Sequence, residues 1–188
     1  MNCWEGKIIR LRGIEPDDID FFFDWNLETE TQRNLDRIWF PTTRTGQIDW
    51  IRKESLHKGE NDEYFFVIED KAGKPVGSIS SNSVNKTDGT FRYGIAIMES
   101  ERNKGYAKEA LRIFLNYYFN ELRYNKVNAS VYEFNESSKV LHEMMEFKKE
   151  GQLREVKFTN GKYWDIIIYG MTRTEFNKLI KNEKVLKG

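Results

Sequence analysis

The sequence is poor in the residues from which metal centres and covalent cross-links are built. It contains one cysteine, Cys3, and two histidines, His57 and His142, among 188 residues. A single cysteine excludes an intrachain disulfide and a cysteine-based metal cage. Two histidines are too few for a histidine-rich metal site. We therefore expect a protein that works without a metal.

Proline, long apolar runs and an excess of one charge are also missing. The chain has only three prolines and no low-complexity stretch, so nothing in it indicates a domain boundary. We therefore expect a single domain over residues 1–188. No run is long enough to cross a bilayer and the charged N-terminal segment is unlike a signal peptide, which predicts a cytoplasmic protein without a membrane partner. Thirty basic residues balance thirty acidic ones, so no global field favours nucleic acid.

What the chain does have is aromatic content, 14% of its residues, and clear periodicity. Segments with β-branched or alternating apolar residues predict strands, and apolar residues at intervals of three and four predict helices. The residues 29–44 are expected to be irregular. Strands are predicted at 7–12, 64–69, 76–80, 91–98, 126–132, 152–158 and 163–171, and helices near Pro16, at 45–56, 107–118, 137–145 and 174–180.

The order of these elements predicts an α/β fold. A strand, a helix and a strand between residues 91 and 132 require a right-handed crossover and a parallel pair. The remaining strands are joined by turns typical of hairpins, which indicates antiparallel pairs. We expect a mixed, mostly antiparallel, twisted sheet of about seven strands flanked by helices.

The sharpest local signal is the segment YGIAIMESERNKGYAKEAL, residues 93–111. An apolar strand is followed by a polar turn and then by Gly105 at the start of an amphipathic helix. Unpaired amides and the helix dipole make such a start a natural place for a phosphate. The segment is neither a P-loop nor a G-x-G-x-x-G fingerprint. A tight turn with solvated charges is an equally good interpretation of the residues alone.

The pattern Arg102-x-x-Gly105-x-Ala107 resembles the coenzyme A pyrophosphate loop of the GNAT superfamily of N-acetyltransferases. The residues 127–155 resemble this superfamily's strand, asparagine-containing turn, short helix and G-F-x-x-E-G segment. The opening RLRGIEPDDIDFFFDW and the tail 159–176 are similar to its RimJ/RimL-like branch, which includes protein N-terminal and spermidine acetyltransferases. The likeness covers nearly the whole chain and implies the acyl-CoA N-acyltransferase fold.

The resemblance implies acetyl-CoA as cosubstrate, held by two groups of residues. Backbone groups of the strand before the loop would contact the pantetheine arm and the thioester, and amides of the loop would take the pyrophosphate. A polar pair around the start of the helix predicted at 137–145 would contact pantetheine. The implied residues are Ile95, Ala96, Ile97, Met98, Arg102, Asn103, Lys104, Gly105, Tyr106, Ala107, Asn135 and Ser138.

Three positions depart from the pattern of the resembled family. His142 stands where many relatives have the tyrosine thought to protonate the leaving thiolate, and an imidazole could serve there because its pKa lies near neutrality. Arg92 replaces a glutamate that assists deprotonation of the amine, which leaves Glu133, Asp165 or a water as the base. Glu146 replaces a glycine after the helix.

We therefore expect transfer of an acetyl group to a primary amine, either a small amine or polyamine or a protein N-terminus. A backbone amide near Ile97 or Met98 would stabilise the tetrahedral oxyanion. The departures from the family pattern leave a non-catalytic acyl-CoA sensor of the same fold as the alternative. Relatives often dimerise, so the resemblance also leaves a homodimer open.

Overall fold

The computed structural model describes residues 2–185 of the chain, with side chains as far as residue 183. Seven strands and six α-helices lie within this described part. The strands are β1 Ile9–Arg12, β2 Phe65–Asp70, β3 Pro75–Asn85, β4 Thr90–Ile97, β5 Lys126–Tyr132, β6 Lys148–Thr159 and β7 Lys162–Thr172. The helices are α1 Ile19–Trp25, α2 Thr29–Leu35, α3 Arg44–Ser55, α4 Tyr106–Asn116, α5 Glu136–Met144 and α6 Arg173–Val185.

The described strands form one sheet in the order β1-β2-β3-β4-β5-β7-β6. The pairs β1–β2, β2–β3, β5–β7 and β6–β7 are antiparallel. The strands β4 and β5 are parallel, with Phe91 opposite Val127, because α4 carries the chain from one to the other. The predicted mixed α/β sheet with a helical crossover is confirmed.

The chain divides into two compact units that share β3, β4 and α4. One unit comprises the chain up to Asn82 together with Gly94–Phe114. The other comprises Ser83–Tyr93 together with the chain from Leu115 onward. The single domain expected from the sequence stays a prediction.

The first unit is built on an aromatic cluster and a charged network. Phe22 and Trp25 of α1 pack with Ile51 of α3 and Val67 of β2. Beside this core, the carboxylate of Glu69, 4% exposed, receives hydrogen bonds from the guanidinium groups of Arg10 and Arg12. Arg12 also binds the buried carboxylate of Asp18, at 2.7 and 2.8 Å. Each buried charge therefore has a partner of opposite sign, which is the condition for burying it.

The second unit has its own aromatic core. Phe91 of β4 stacks on Tyr118 at 4.3 Å between ring centroids, and Phe119 and Tyr124 pack edge-on against the same ring. Alternate residues of β5 are buried, as the period of a strand covered on one face requires. The periodicity that predicted a helix continues beyond α4 as a single π-helical turn, Tyr117–Glu121.

One part of the secondary-structure prediction is wrong. The residues 29–44 were expected to be irregular, but α2 occupies Thr29–Leu35. The sequence TETQRNL has no apolar stripe from which a helix could be recognised. A tertiary contact holds this helix where an apolar stripe is missing. The buried hydroxyl of Thr31 accepts a hydrogen bond of 2.8 Å from Arg102.

The start of α6 carries a carboxylate that accepts three hydrogen bonds. Glu175 accepts from the amide and the hydroxyl of Thr172, each at 2.9 Å, and from the ammonium of Lys148. In return, the hydroxyl of Thr172 accepts from the amide of Glu175 at 3.3 Å, which completes a capping box. The Lys148 ammonium first, and then the Thr172 amide, lower the pKa of Glu175 from 4.5 to about 2.

We predict that Glu175→Gln lowers the free energy of unfolding by about 1 kcal/mol at neutral pH. Because the folded-state pKa is depressed, this contribution is present above pH 4.5 and is lost as the pH falls towards about 2. Urea denaturation of both proteins across this range measures the difference. Glu136→Gln, which removes only an exposed ion pair with Lys139, is the control and should change little. A Glu175→Gln deficit that persists undiminished near pH 2 would contradict this role.

Candidate functional site

The turn between β4 and α4 adopts a backbone that leaves its amides pointing outward. After a short 3-10 turn at Glu99–Glu101, Asn103 and Gly105 both take left-handed conformations, with φ of 64° and 84°. A Cβ on Gly105 would meet only the Cδ1 of Ile8, at 3.5 Å. Glycine is therefore needed here for its backbone conformation, and the space beside it is open.

Within the part of the chain that the structure describes, the amides of Asn103, Lys104 and Gly105 donate to no protein acceptor. The first amides of α4, which begins at Tyr106, have no carbonyl four residues earlier within the helix. The first hydrogen bond of the regular helical type at this end runs from Glu109 to the carbonyl of Gly105. A row of backbone donors backed by a helix dipole therefore faces outward, which suits a phosphate or diphosphate.

Arg102, the first residue of the predicted loop, is used differently from the residues that follow it. Its amide donates to Glu99, at 3.4 Å. Its guanidinium turns inward, donating to the carbonyl of Ile97 at 3.3 Å and to Thr31 at 2.8 Å. The side chain of Arg102 therefore fixes the end of β4 to α2, and its predicted contact with the cosubstrate stays a prediction.

The carboxylate of Glu101 gathers two ammonium groups beside the loop. Glu101 is 6% exposed and accepts from Lys74 at 2.6 Å and from Lys104 at 2.7 Å. The hydrogen bond from Lys104, and then that from Lys74, lower the pKa of Glu101. Two ammonium groups therefore share this carboxylate, and one of them belongs to Lys104 of the loop itself. Nothing in the sequence indicated a role for Lys74, because it lies in the β2–β3 turn, about thirty residues before the loop.

A second carboxylate ties the N-terminal segment onto the start of α4. Glu109 accepts from the amides of Lys7 and Ile8 at 2.8 Å and from that of Ile9 at 3.0 Å. This clamp holds Ile8 next to Gly105. Nothing in the local sequence indicated it, since the partners are about a hundred residues apart.

The strand before the loop offers fewer free backbone groups than the sequence suggested. The amide of Met98, one of two groups expected to stabilise the oxyanion, donates to the carbonyl of Val76 at 3.0 Å. Met98 is therefore engaged in holding β4 to β3. The contacts predicted for Ile95, Ala96, Ile97 and Met98 with the pantetheine arm stay predictions.

In the second unit, α5 begins as the sequence predicts. The side chain of Asn135 accepts from the amide of Ser138 at 3.1 Å, so Asn135 is the N-cap of this helix. The carbonyl of Ser138 in turn accepts a hydrogen bond from His142. The cap thus fixes the turn that orients the imidazole, and the predicted pantetheine contacts of Asn135 and Ser138 stay predictions.

His142 is buried and both of its ring nitrogens have partners. The ring is 3% exposed, with Nδ1 2.7 Å from the carbonyl of Ser138 and Nε2 2.9 Å from the hydroxyl of Tyr93. A carbonyl can only accept, so Nδ1 carries the proton and the Nε2 lone pair accepts from Tyr93. Burial lowers the pKa of His142, and the Ser138 carbonyl offsets part of that shift. The imidazole is therefore neutral, and its predicted role towards the thiolate stays a prediction.

The two carboxylates considered as the base are tied to the backbone. Asp165 accepts from the side chain of Gln152 at 2.5 Å and from the amide of Glu155 at 2.9 Å. The Gln152 hydrogen bond is the largest of the effects that lower the pKa of Asp165, followed by the Glu155 amide. The side chain of Glu133 lies 3.5 Å from the amide of Asp165. Asp165 therefore supports the β6–β7 hairpin and Glu133 joins the end of β5 to β7. The lowered pKa makes Asp165 a weaker base.

The comparisons with known proteins fit this geometry. A family model described as "Acetyltransferase (GNAT) domain" matches residues 9–148. The chain is 42% identical over 173 residues to the SPbeta prophage-derived uncharacterized N-acetyltransferase YokL of Bacillus subtilis, which covers 92% of this chain and 94% of that protein. This chain belongs to the GNAT acetyltransferase family.

More distant relatives of the GNAT chain have named substrates. It is 28% identical over 160 residues to the spermidine N(1)-acetyltransferase of Vibrio cholerae, covering 84% of this chain and 89% of that protein. The crystal structure of spermidine N-acetyltransferase from Vibrio cholerae in complex with CoA and spermine has a TM-score of 0.78 and 23% identity, over 90% and 98% of the two chains. The expected fold is confirmed, and the chain is an acetyl-CoA-dependent N-acetyltransferase.

The described part of this GNAT chain has no helix that is both long and apolar enough to span a membrane. Over the same residues, no three histidine, cysteine, aspartate or glutamate side chains are grouped so that they could hold a metal ion.

The end of α5 shows what replaces the glycine of the family pattern. Glu146 adopts a left-handed φ of 58°, and its amide donates to Glu143 at 2.9 Å. The amide of Phe147 donates to the carbonyl of His142, also at 2.9 Å. These two hydrogen bonds define a Schellman motif, in which glycine is the usual left-handed residue. Glu146 therefore forms the same turn as the family's glycine, but with a strained, left-handed backbone.

We predict that Glu146→Gly raises the free energy of unfolding by about 1 kcal/mol, because it relieves a non-glycine residue in the left-handed region. The control is Glu143→Gly at an exposed position inside α5, where glycine costs about 1 kcal/mol. Denaturant titration of the three proteins measures both changes. Equal destabilisation by the two glycines would show that the left-handed backbone of Glu146 stores no strain.

Proposed function

We propose that this chain transfers the acetyl group of acetyl-CoA to a primary amine, with a small amine or polyamine as the first candidate acceptor. The named activities of the spermidine acetyltransferases it resembles support this class of acceptor. A protein N-terminus is the second candidate, as the sequence analysis left open. The observation that carries the proposal is the row of outward-facing amides between β4 and α4.

In the first unit, the amides of Asn103 to Ala107 would hold the pyrophosphate of acetyl-CoA. This assignment is supported by the left-handed conformations of Asn103 and Gly105, and by the amides of residues 103–105, which have no protein acceptor among the described residues. The ammonium groups of Lys74 and Lys104, which both bind Glu101, would attract further phosphate charge. Backbone groups of Ile95–Met98 would run along the pantetheine arm.

In the second unit, Asn135 and Ser138 would contact pantetheine and His142 would take part in proton transfer. Their hydrogen bonds to one another give these three residues a fixed arrangement before any substrate arrives. Such preorganisation is how an acyltransferase lowers its barrier without a covalent intermediate.

The experiment that tests the activity is release of free thiol from acetyl-CoA with a panel of acceptors. The panel contains spermidine, a simple diamine, a peptide with a free N-terminus and the same peptide with that terminus acetylated. We expect thiol release with at least one free amine, strongest for the polyamine, and none with the blocked peptide. Binding of acetyl-CoA without turnover across the panel would instead support the acyl-CoA sensor.

The phosphate site has a sharper test in Gly105→Glu. The new carboxylate would stand among the amides that should bind the pyrophosphate, so we expect the affinity for acetyl-CoA to fall at least about 100-fold in calorimetry. Gly73→Glu is the matched control, because Gly73 has the same φ of 84° and open space around it. It should bind acetyl-CoA as the unaltered chain does. Equal affinity of the two variants would remove the assigned site.

A further inference from the structure

Acetyl transfer from a thioester to an amine must move one proton from nitrogen to sulfur. The buried carboxylates Asp18, Glu69 and Glu101 are engaged with arginine or lysine side chains. Asp165 is held by hydrogen bonds that weaken it as a base. These four carboxylates are therefore poor candidates, and a neutral hydrogen-bonded pair offers another route for the proton.

The hydrogen-bonded pair of Tyr93 and His142 has the geometry of a base with its orienting group. The carbonyl of Ser138 fixes the Nδ1 proton of His142, and the Nε2 lone pair points at the hydroxyl of Tyr93, 2.9 Å away. A hydroxyl, an imidazole and an acceptor behind the imidazole are the three parts by which a base raises the reactivity of a hydroxyl. All three residues belong to the second unit.

The surroundings of the pair keep the imidazole neutral and in place. The ring of His142 lies between aromatic neighbours, with Tyr169 stacked at 5.0 Å and Phe147 edge-on at 4.9 Å between centroids. The groups facing it are the Tyr93 hydroxyl from β4, the Tyr169 ring from β7, Phe147 after α5, and Ser138 on its own helix. The charged residues of this region, Glu136, Lys139 and Glu143, influence Tyr169. Burial is the main influence on His142 itself.

We propose that Tyr93 and His142 form a proton relay for the acetyl transfer. As the amine nitrogen bonds to the acetyl carbon, its proton passes to Tyr93 Oη while the Tyr93 proton passes to His142 Nε2. When the carbon–sulfur bond breaks and its electron pair goes to sulfur, His142 Nε2 returns its proton to Tyr93 Oη and Tyr93 passes a proton to the thiolate. The residues return to their starting state, and no external acid, base or oxidant is consumed.

This relay rests on the proposed function and names two residues of that reaction. It supplies the base that a glutamate at the position of Arg92 would have provided. The imidazolium formed during the transfer still donates its Nδ1 hydrogen bond to the Ser138 carbonyl, and this bond stabilises the added charge. A purely structural pair would serve packing alone, so the test must separate chemistry from packing.

The first variant is Tyr93→Phe, which keeps the ring and removes the hydroxyl. We expect kcat to fall about 100-fold, the usual loss when a proton-transfer group is removed. The KM for acetyl-CoA should stay within about twofold. Tyr169→Phe is the matched control, since it removes a hydroxyl from the other ring stacked on His142. Its kcat should match that of the unaltered chain.

The second variant, His142→Gln, tests the proton acceptor through the pH profile. For the unaltered chain we expect kcat to fall at acid pH with an apparent pKa below 6.5, because a protonated imidazole cannot accept from Tyr93. In His142→Gln this acid limb should disappear and kcat should be low throughout. Circular dichroism confirms that each variant is folded.

An active chain whose Tyr93→Phe variant keeps its kcat, or whose His142→Gln variant keeps the acid limb, would overturn the relay and leave the proposed function intact. An unaltered chain that releases no thiol with any amine would overturn the proposed function, and the relay with it.

Discussion

The feature on which the rest of this structure depends is a set of backbone amides, at the junction of β4 and α4, that find no acceptor among the described residues. A folded chain ordinarily pairs its backbone donors, and outward-facing ones remain only where water or a ligand can satisfy them. Here Asn103 and Gly105 adopt left-handed conformations in the turn after β4, and three successive amides are left exposed without a protein acceptor among the described residues. The helix that follows adds its dipole to the same place.

The side chains around this junction serve to hold it in shape. The guanidinium of Arg102 joins the end of β4 to α2, Glu101 gathers two lysines, and Glu109 clamps the N-terminal segment by three amides. Each of these groups is polar and engaged with a partner far away in the sequence. A rigid loop loses less conformational entropy when a ligand binds, so these contacts would raise the affinity for the proposed diphosphate.

Much of the fold could be predicted because its strands and α4 carry strong periodic patterns. The strand Lys126–Tyr132 and the turn at Asn160 and Gly161 follow directly from alternation and turn chemistry. The helix α2 could not be predicted, since Thr31 is held by a tertiary contact and its neighbours have no apolar stripe. In the same way, Lys74 and Glu109 act through partners that only the folded chain brings near.

The candidate site was predictable to the extent that backbone geometry follows from local residue types. Gly105 and the N-cap Asn135 occupy the conformations that their positions suggest. The environment of His142 was not predictable, because its burial and its hydrogen bond to Tyr93 depend on the packing of β4, α5 and β7. One sequence motif therefore predicted where the outward-facing amides lie, and the sequence also named His142, whereas its hydrogen bond to Tyr93 could be seen only in the structure.

The central claim is that the unpaired amides of the β4–α4 junction bind the diphosphate of acetyl-CoA. Amide NMR spectra of the nitrogen-15-labelled protein, recorded during titration with coenzyme A, test it most directly. We predict large downfield proton shifts of the Asn103, Lys104 and Gly105 amides that saturate with the ligand. Saturable binding that leaves these three resonances in place and moves amides elsewhere would contradict it.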